Sequence, residues 1–257
     1  MTLFLQATMQ GLALGAVYSL VAIGLVLIYK ATDVLSFAQP ALAVAGAGII
    51  SALAVDRGIS FWIALPLAIF ITGILGLIIE RTFLRAMVGE PVFSVAILTI
   101  GIDILIRTVL DNWIGLNPRY MGDSFTQMGN FGSLNVGGVA IQYLELTALL
   151  SAIAVIALLS VFFKFSKYGL AMRATSFDQE ASLAQGINVG RVIALVWFIA
   201  AMLASLSGFF ITGGFNGLTQ ASFVTALRAL PAIVIGGLDS LVAVSYTHLT
   251  LPTKRIV

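Results

Sequence analysis

Apolar runs separated by short polar connectors divide this chain into seven stretches, at about 8–29, 34–55, 60–79, 91–113, 141–163, 191–212 and 221–243. A bilayer core asks for roughly 20 predominantly apolar residues per helix, and each stretch approaches that length. The pattern predicts an all-α, polytopic membrane protein with about seven transmembrane or re-entrant helices. The second stretch is the weakest, because Pro40 sits near its start and the uninterrupted part, 41–55, is short for a full crossing; a broken helix fits there as well as a continuous one. The longest polar interruption is 164–191, KFSKYGLAMRATSFDQEASLAQGINVGR. The stretch 115–142 is rich in Gly, Asn and Ser and reads as irregular chain or a small hairpin, with alternating pieces such as 133–139.

Orientation follows from the connectors. With the first helix starting outside, the inner connectors carry Lys30, Arg81, Arg85, Lys164, Lys167, Arg173 and Arg191, against Arg57 and Arg119 outside. Lys and Arg collect on the cytoplasmic side, so the 164–191 loop is cytoplasmic. The N-terminus has no basic n-region or small-residue cleavage site, and its apolar run is long enough to span, so it reads as an uncleaved first helix.

Composition agrees with this layout. The chain of 257 residues is 60% hydrophobic and 9% charged, too few polar groups to wrap a water-soluble globule of this size. With zero cysteines there are no disulfides, thiolate metal sites or thiol nucleophiles. The single histidine, His248, lies in a C-terminal segment unlike the rest: 244–253, VSYTHLTLPT, resembles a translated sequencing adaptor and interrupts an apolar run, so 244–257 is read as a non-native tail beside a transmembrane domain at 1–243. Lys254 and Arg255 in that tail supply the whole formal charge of +2. The basic balance therefore carries no nucleic-acid signal, and no basic aromatic patch supplies one.

Within the cytoplasmic loop, Ser176 precedes Gln179 by three residues, the spacing of a capping box, while Asp178 and Glu180 suit the positive end of a helix dipole. Gly186 supplies a stop. The predicted helix runs from about 177 to 185, with Phe177, Ala181 and Ala184 forming a narrow apolar stripe. So short a helix is marginal alone in water: it packs on its own membrane domain, lies in a partner's groove, or is simply a solvated capped turn.

Three charges fall inside apolar stretches. Each costs about 2.5 to 3.5 kcal/mol at a helix centre. Asp103 and Arg107 stand four residues apart and can neutralise each other locally, as a structural pair or as part of a pathway. Arg228 either snorkels outward or pairs across helices. Small residues allow close backbone approach at Gly11 and Gly15, a G-x-x-x-G spacing, and at Ala45, Gly46, Ala47 and Gly48. Gln39, Ser94, Thr99 and Asn216 are possible polar residues of a pathway, with ordinary interhelical hydrogen bonding as the alternative.

Taken together, several short stretches resemble one family. Tyr168, Gly169, Arg173 and Ala174 read as YGxxxRA, and Glu180, Ala181, Gly186, Ile187, Asn188 and Val189 as EAxxxxGINV. They are similar to the cytoplasmic loop of branched-chain amino acid ABC importer permeases, the LivH-like proteins. Ser182 replaces the second alanine of the general importer pattern EAAxxxG. The front of the chain, with Gly11, Gly15 and Tyr18, the element Ser36–Phe37–Ala38–Gln39, and Leu230, Pro231, Ala232 with Gly236 to Ser240, agree as well. The resemblance covers the chain to about Ala243 and departs from the pattern twice: Pro40 stands where glycine is usual, and after Ser240 the family has one more membrane helix.

The resemblance implies that the helix near 177–185 sits in a cleft of a cytoplasmic ATPase subunit. Arg173 and Glu180 would make rim contacts, Asp178 would lie at the helix start, Phe177, Ala181 and Ala184 would face the partner, and Gly186 would turn the chain back. It also implies a second permease chain and an extracytoplasmic substrate-binding protein, in the bacterial inner membrane. No cofactor would be bound by this chain, since no G-x-x-x-x-G-K-[ST] sequence is present and ATP would belong to the partner. The competing reading is a self-contained secondary transporter or channel using Asp103 for ion coupling. An intramembrane hydrolase fares worst, because Lys30, Lys164 and Lys167 all sit at membrane edges.

Overall fold

The computed structural model describes residues 2–87, 90–114, 133–136, 139–213 and 217–236. Helix α1 spans Thr2–Thr32, 31 residues, or about 46 Å at 1.5 Å per residue. It extends past both ends of the predicted 8–29 run. It stops at Asp33, whose φ of 55° lies in the left-handed region; Asp is one of the few side chains that tolerates it. Residues 33–38 are not helical. Helix α2, Gln39–Ser51, starts with Pro40 in its first turn, where a missing N–H removes no helical bond. A wide π-type turn, Ala52–Asp56, continues it. The predicted 34–55 span is thus displaced: its first residues form an elbow, and the helix proper begins at Gln39.

Helix α3, Phe61–Ile79, runs on through a second wide turn, Glu80–Leu84, and a tight one, Arg85–Met87. Helix α4 is Val92–Ile114. Strands β1, Ser133–Val136, and β2, Val139–Gln142, pair antiparallel with Ser133 opposite Gln142, giving the small hairpin that the alternation predicted. Helix α5, Tyr143–Phe165, opens on a capping box in which the Gln142 N–H donates to Glu145 Oε2 at 3.3 Å. Two short helices follow, α6 at Lys167–Phe177 and α7 at Gln179–Ala184, and then α8, Val189–Thr212.

Six helical stretches among the described residues are long and apolar enough to cross a membrane. The predicted seventh, 221–243, is instead two eight-residue helices, α9 (Gln220–Leu227) and α10 (Ala229–Gly236), broken at Arg228; residues 237–243 and the tail lie outside the described residues. The architecture is that of an all-α polytopic membrane protein carrying one short hairpin.

Helix α8 is the centre of the bundle, packed against α1, α2 and α3. Its buried side carries Trp197, Ala200, Ala201, Ala204, Ser205, Ser207 and Gly208, mostly small side chains, which let backbones approach where no solvent drives helices together. A Cβ added at Gly208 would strike the Ala43 carbonyl, and one added at Gly46 would lie 2.5 Å from Ser205 Cα. The small residues predicted at 45–48 therefore do meet another helix. Gly11 does not, for nothing stands within 4 Å of its would-be Cβ. On α4 and α5 the large apolar side chains point outward, among them Ile97, Ile104, Leu150, Ile153 and Leu158, as bilayer-facing surfaces do.

Candidate functional site

The 164–191 loop is more ordered than its sequence suggested. Ser166 caps α6, its Oγ accepting from the Tyr168 N–H at 3.2 Å. Helix α6 buries Met172 and Thr175 and extends to Phe177. Ser176 is therefore inside a helix, its hydroxyl donating back to the Arg173 carbonyl at 2.8 Å. The predicted Ser176 cap is corrected to Asp178, which is extended (φ −158°, ψ 112°) and accepts from the Ala181 N–H at 2.9 Å. At the other end Gly186 takes φ +82°. Its N–H donates to Leu183 O at 2.9 Å and the Ile187 N–H to Ser182 O at 3.0 Å, the paired bonds of a Schellman stop. Helix α7 is short, but both ends are closed.

Its outer surface is bare. Phe177 is 90% exposed and Leu183 58%, and Arg173, Asp178, Glu180, Ala181, Ala184 and Gly186 are exposed as well, while Ser182 is buried. Phe177 closes α6 rather than opening α7, so the predicted stripe is shared between two helices. Leu183 was not singled out from sequence, because it lies off the i, i+4, i+7 series chosen from Phe177.

Behind α7 lies the elbow at 33–38. The Gln179 side-chain amide donates to Ala31 O at 3.1 Å. Ala31 lies in the last turn of α1, where carbonyls have no helical N–H to accept from. Further along, the Phe37 N–H donates to Thr99 Oγ1 at 3.1 Å, and Thr99 in turn donates to Ala96 O at 2.7 Å. Gln39 is fully buried, and its Nε2 donates to Ala200 O at 2.8 Å near the middle of α8. A Cβ at Gly24 would collide with that amide. Ser36 Oγ and Gln39 Oε1 are buried without a hydrogen-bond partner. The structure thus brings Gln39 and Thr99 to one elbow. Ser94 stands half-buried in the first turn of α4, and Asn216 lies outside the described residues.

Of the intramembrane charges, Asp103 and Arg107 form an ion pair at 2.7 Å, with side chains 6% and 43% exposed. The Arg107 guanidinium also stands over the Phe223 ring at 3.0 Å from its centroid, joining α4 to α9. Phe223 had no signal in sequence, since one aromatic in an apolar run marks nothing. Arg228 is exposed at the break between α9 and α10.

Six helical stretches long and apolar enough to cross a membrane, gathered round a small-residue core, define a polytopic membrane protein. The chain belongs to the family described as branched-chain amino acid transport system / permease component, which matches residues 7–250. It is similar to the high-affinity branched-chain amino acid transport system permease protein LivH of Escherichia coli K12, 27% identical over 251 residues, covering 93% of this chain and 80% of that protein. The BraD permease of the corresponding Pseudomonas aeruginosa system is 26% identical over the same shares. A probable LivH permease of Methanocaldococcus jannaschii is 24% identical, covering 85% of this chain and 73% of the relative. No solved structure matches. The protein is a multi-pass permease of the inner membrane.

Proposed function

We propose that this chain is the transmembrane subunit of an ATP-driven importer for branched-chain or related amino acids, and that a separate cytoplasmic ATPase docks on α6 and α7. The observation that carries the reading is the pair Phe177 and Leu183, large apolar side chains left in water on either side of the Asp178 cap. Isolated exposed apolar residues are ordinary on soluble surfaces. Here Phe177 ends α6 and Leu183 lies in the six-residue α7, a length marginal alone in water. Burying a side chain of this size contributes about 1.5–3 kcal/mol, whereas exposed charge contacts such as those open to Arg173 and Glu180 contribute about 0–1 kcal/mol, so the apolar pair dominates docking. The names of the relatives support the substrate class. ATP belongs to the partner, substrate selection to an extracytoplasmic binding protein, and a second permease chain completes the pathway. Gln39 and Thr99 are its best-placed polar residues in this chain.

The secondary-transporter reading is less well supported, because Asp103, the residue it needs for ion coupling, is engaged by Arg107. The deciding experiment is co-purification in mild detergent. Phe177→Ser with Leu183→Ser should abolish recovery of the ATPase subunit and ATP-dependent uptake while membrane insertion stays intact. Uptake that continues in the double variant would defeat the importer reading.

A further inference from the structure

We propose that Gln179 is the positioning residue through which movement of the docked helix α7 reaches the elbow at 33–38 and the start of α2. The inference rests on the docking reading above and adds to it the route by which docking acts on the membrane helices.

Three long-range side-chain hydrogen bonds converge on residues 31–39. They run from Gln179 to Ala31 O, from the Phe37 N–H to Thr99, and from Gln39 to Ala200 O. They tie the last turn of α1, the elbow and the first residue of α2 to three different elements, α7, α4 and α8. The Gln179 bond has a fixed polarity. A carbonyl only accepts, so the glutamine must present its NH₂ to Ala31, and a carboxylate or an apolar side chain of the same length could not replace it.

The two ends of this bond differ mechanically. Helix α7 is closed by the Asp178 cap and the Gly186 stop, so it shifts as a unit. The elbow is unwound, with Asp33 left-handed and no helical ladder through 34–37. Large changes of φ and ψ concentrate in such a short segment at the end of an element. Displacing α7 by a fraction of a turn therefore pulls the last carbonyls of α1. The displacement passes through 33–38 to Gln39, whose bond to Ala200 O carries it to the middle of α8. Non-helical backbone at membrane depth is tolerated where it is buried in protein or lines a water-filled cavity, and the unpartnered Ser36 Oγ and Gln39 Oε1 stand at this point.

The test uses the permease assembled with its ATPase subunits in proteoliposomes, supplied with the substrate-loaded binding protein. Gln179→Leu should keep the ATPase bound, keep basal hydrolysis and keep its melting temperature. Uptake and the stimulation of hydrolysis by the loaded binding protein should both fall about tenfold, within the usual range of coupling between distant sites. Gln179→Lys retains a donor of sufficient reach and should restore most of both. Undiminished stimulation in Gln179→Leu overturns the proposal, as does equal loss in Gln179→Lys. Loss of the ATPase from Gln179→Leu also overturns it, by making Gln179 a docking residue. If the unaltered permease recovers no ATPase, the importer reading fails together with this one, a result distinguishable from all the others.

Discussion

Arg107 is held between two unlike partners, with the Phe223 ring 3.0 Å below its guanidinium and the Asp103 carboxylate 2.7 Å away. The pair lies within a stretch of α4 that otherwise reads as lipid-compatible, so neither charge is independent of the other. Removing one partner leaves the second uncompensated, at about 2.5–3.5 kcal/mol for a charge near a helix centre. Arg107→Gln should therefore lower thermal stability in detergent, and Asp103→Asn should recover much of the loss when added to it. Additive losses in a double-mutant cycle would show that the two charges do not act as a pair. Phe223→Leu should cost less, about 0.5–2 kcal/mol, as a cation over an aromatic ring does.

The close approach of α2 and α8 gives a second prediction. Gly208→Ala places a methyl group into the Ala43 carbonyl, and forcing extra carbon into a packed interface costs about 1–3 kcal/mol. Gly11→Ala meets open space and should be neutral, or stabilising by about 0.4–1 kcal/mol through the unfolded chain. Melting temperatures of the two variants should move apart. Equal behaviour would mean that the two helices are not in contact at that point.

The collision between Gly24 and Gln39 can be relieved from either side. Gly24→Ala alone should destabilise, because its methyl group would occupy the place of the Gln39 amide. Adding Gln39→Ala removes the obstacle, although Ala200 O still stands 3.3 Å away, so the double variant should be more stable than Gly24→Ala alone. Thermal unfolding of the three variants checks this directly. A double variant worse than either single one would remove the glutamine from that position.

Docking of the ATPase should be apolar in character. Arg173→Ala is expected to weaken co-purification by less than about fivefold, in line with an exposed charge contact, and the loss should shrink at high salt. Phe177→Ala is expected to cost more than 1 kcal/mol, as truncation of a hot-spot side chain does, and to be insensitive to salt. Affinity measured at two ionic strengths separates the two kinds of contact.

What could be read from sequence follows the reach of each interaction. Six apolar spans and the Gly186 stop were legible because apolar length and glycine chemistry are local, whereas the run at 221–243 hid the break at Arg228. The elbow was half legible, since Pro40 marks a helix start but does not show how far the preceding residues depart from helix. The cap was misplaced because Ser176 and Asp178 are both competent, and burial of Met172 and Thr175, which carries α6 through Ser176, is a tertiary effect. The glycines of α1 and α2 could not be ranked, because in a bilayer both sides of a helix are apolar and composition does not say which side meets a neighbour. Bonds such as Gln179 to Ala31, or Arg107 over Phe223, join distant parts of the chain and leave no periodic trace.

The meshing of α8 with α2 also limits how the protein can move. Helices keyed backbone to backbone at Gly46 and Gly208 cannot slip past each other by one residue without atoms colliding, so these two spans swing as a single beam. A displacement that reaches α2 through the elbow is therefore carried by α8 as well.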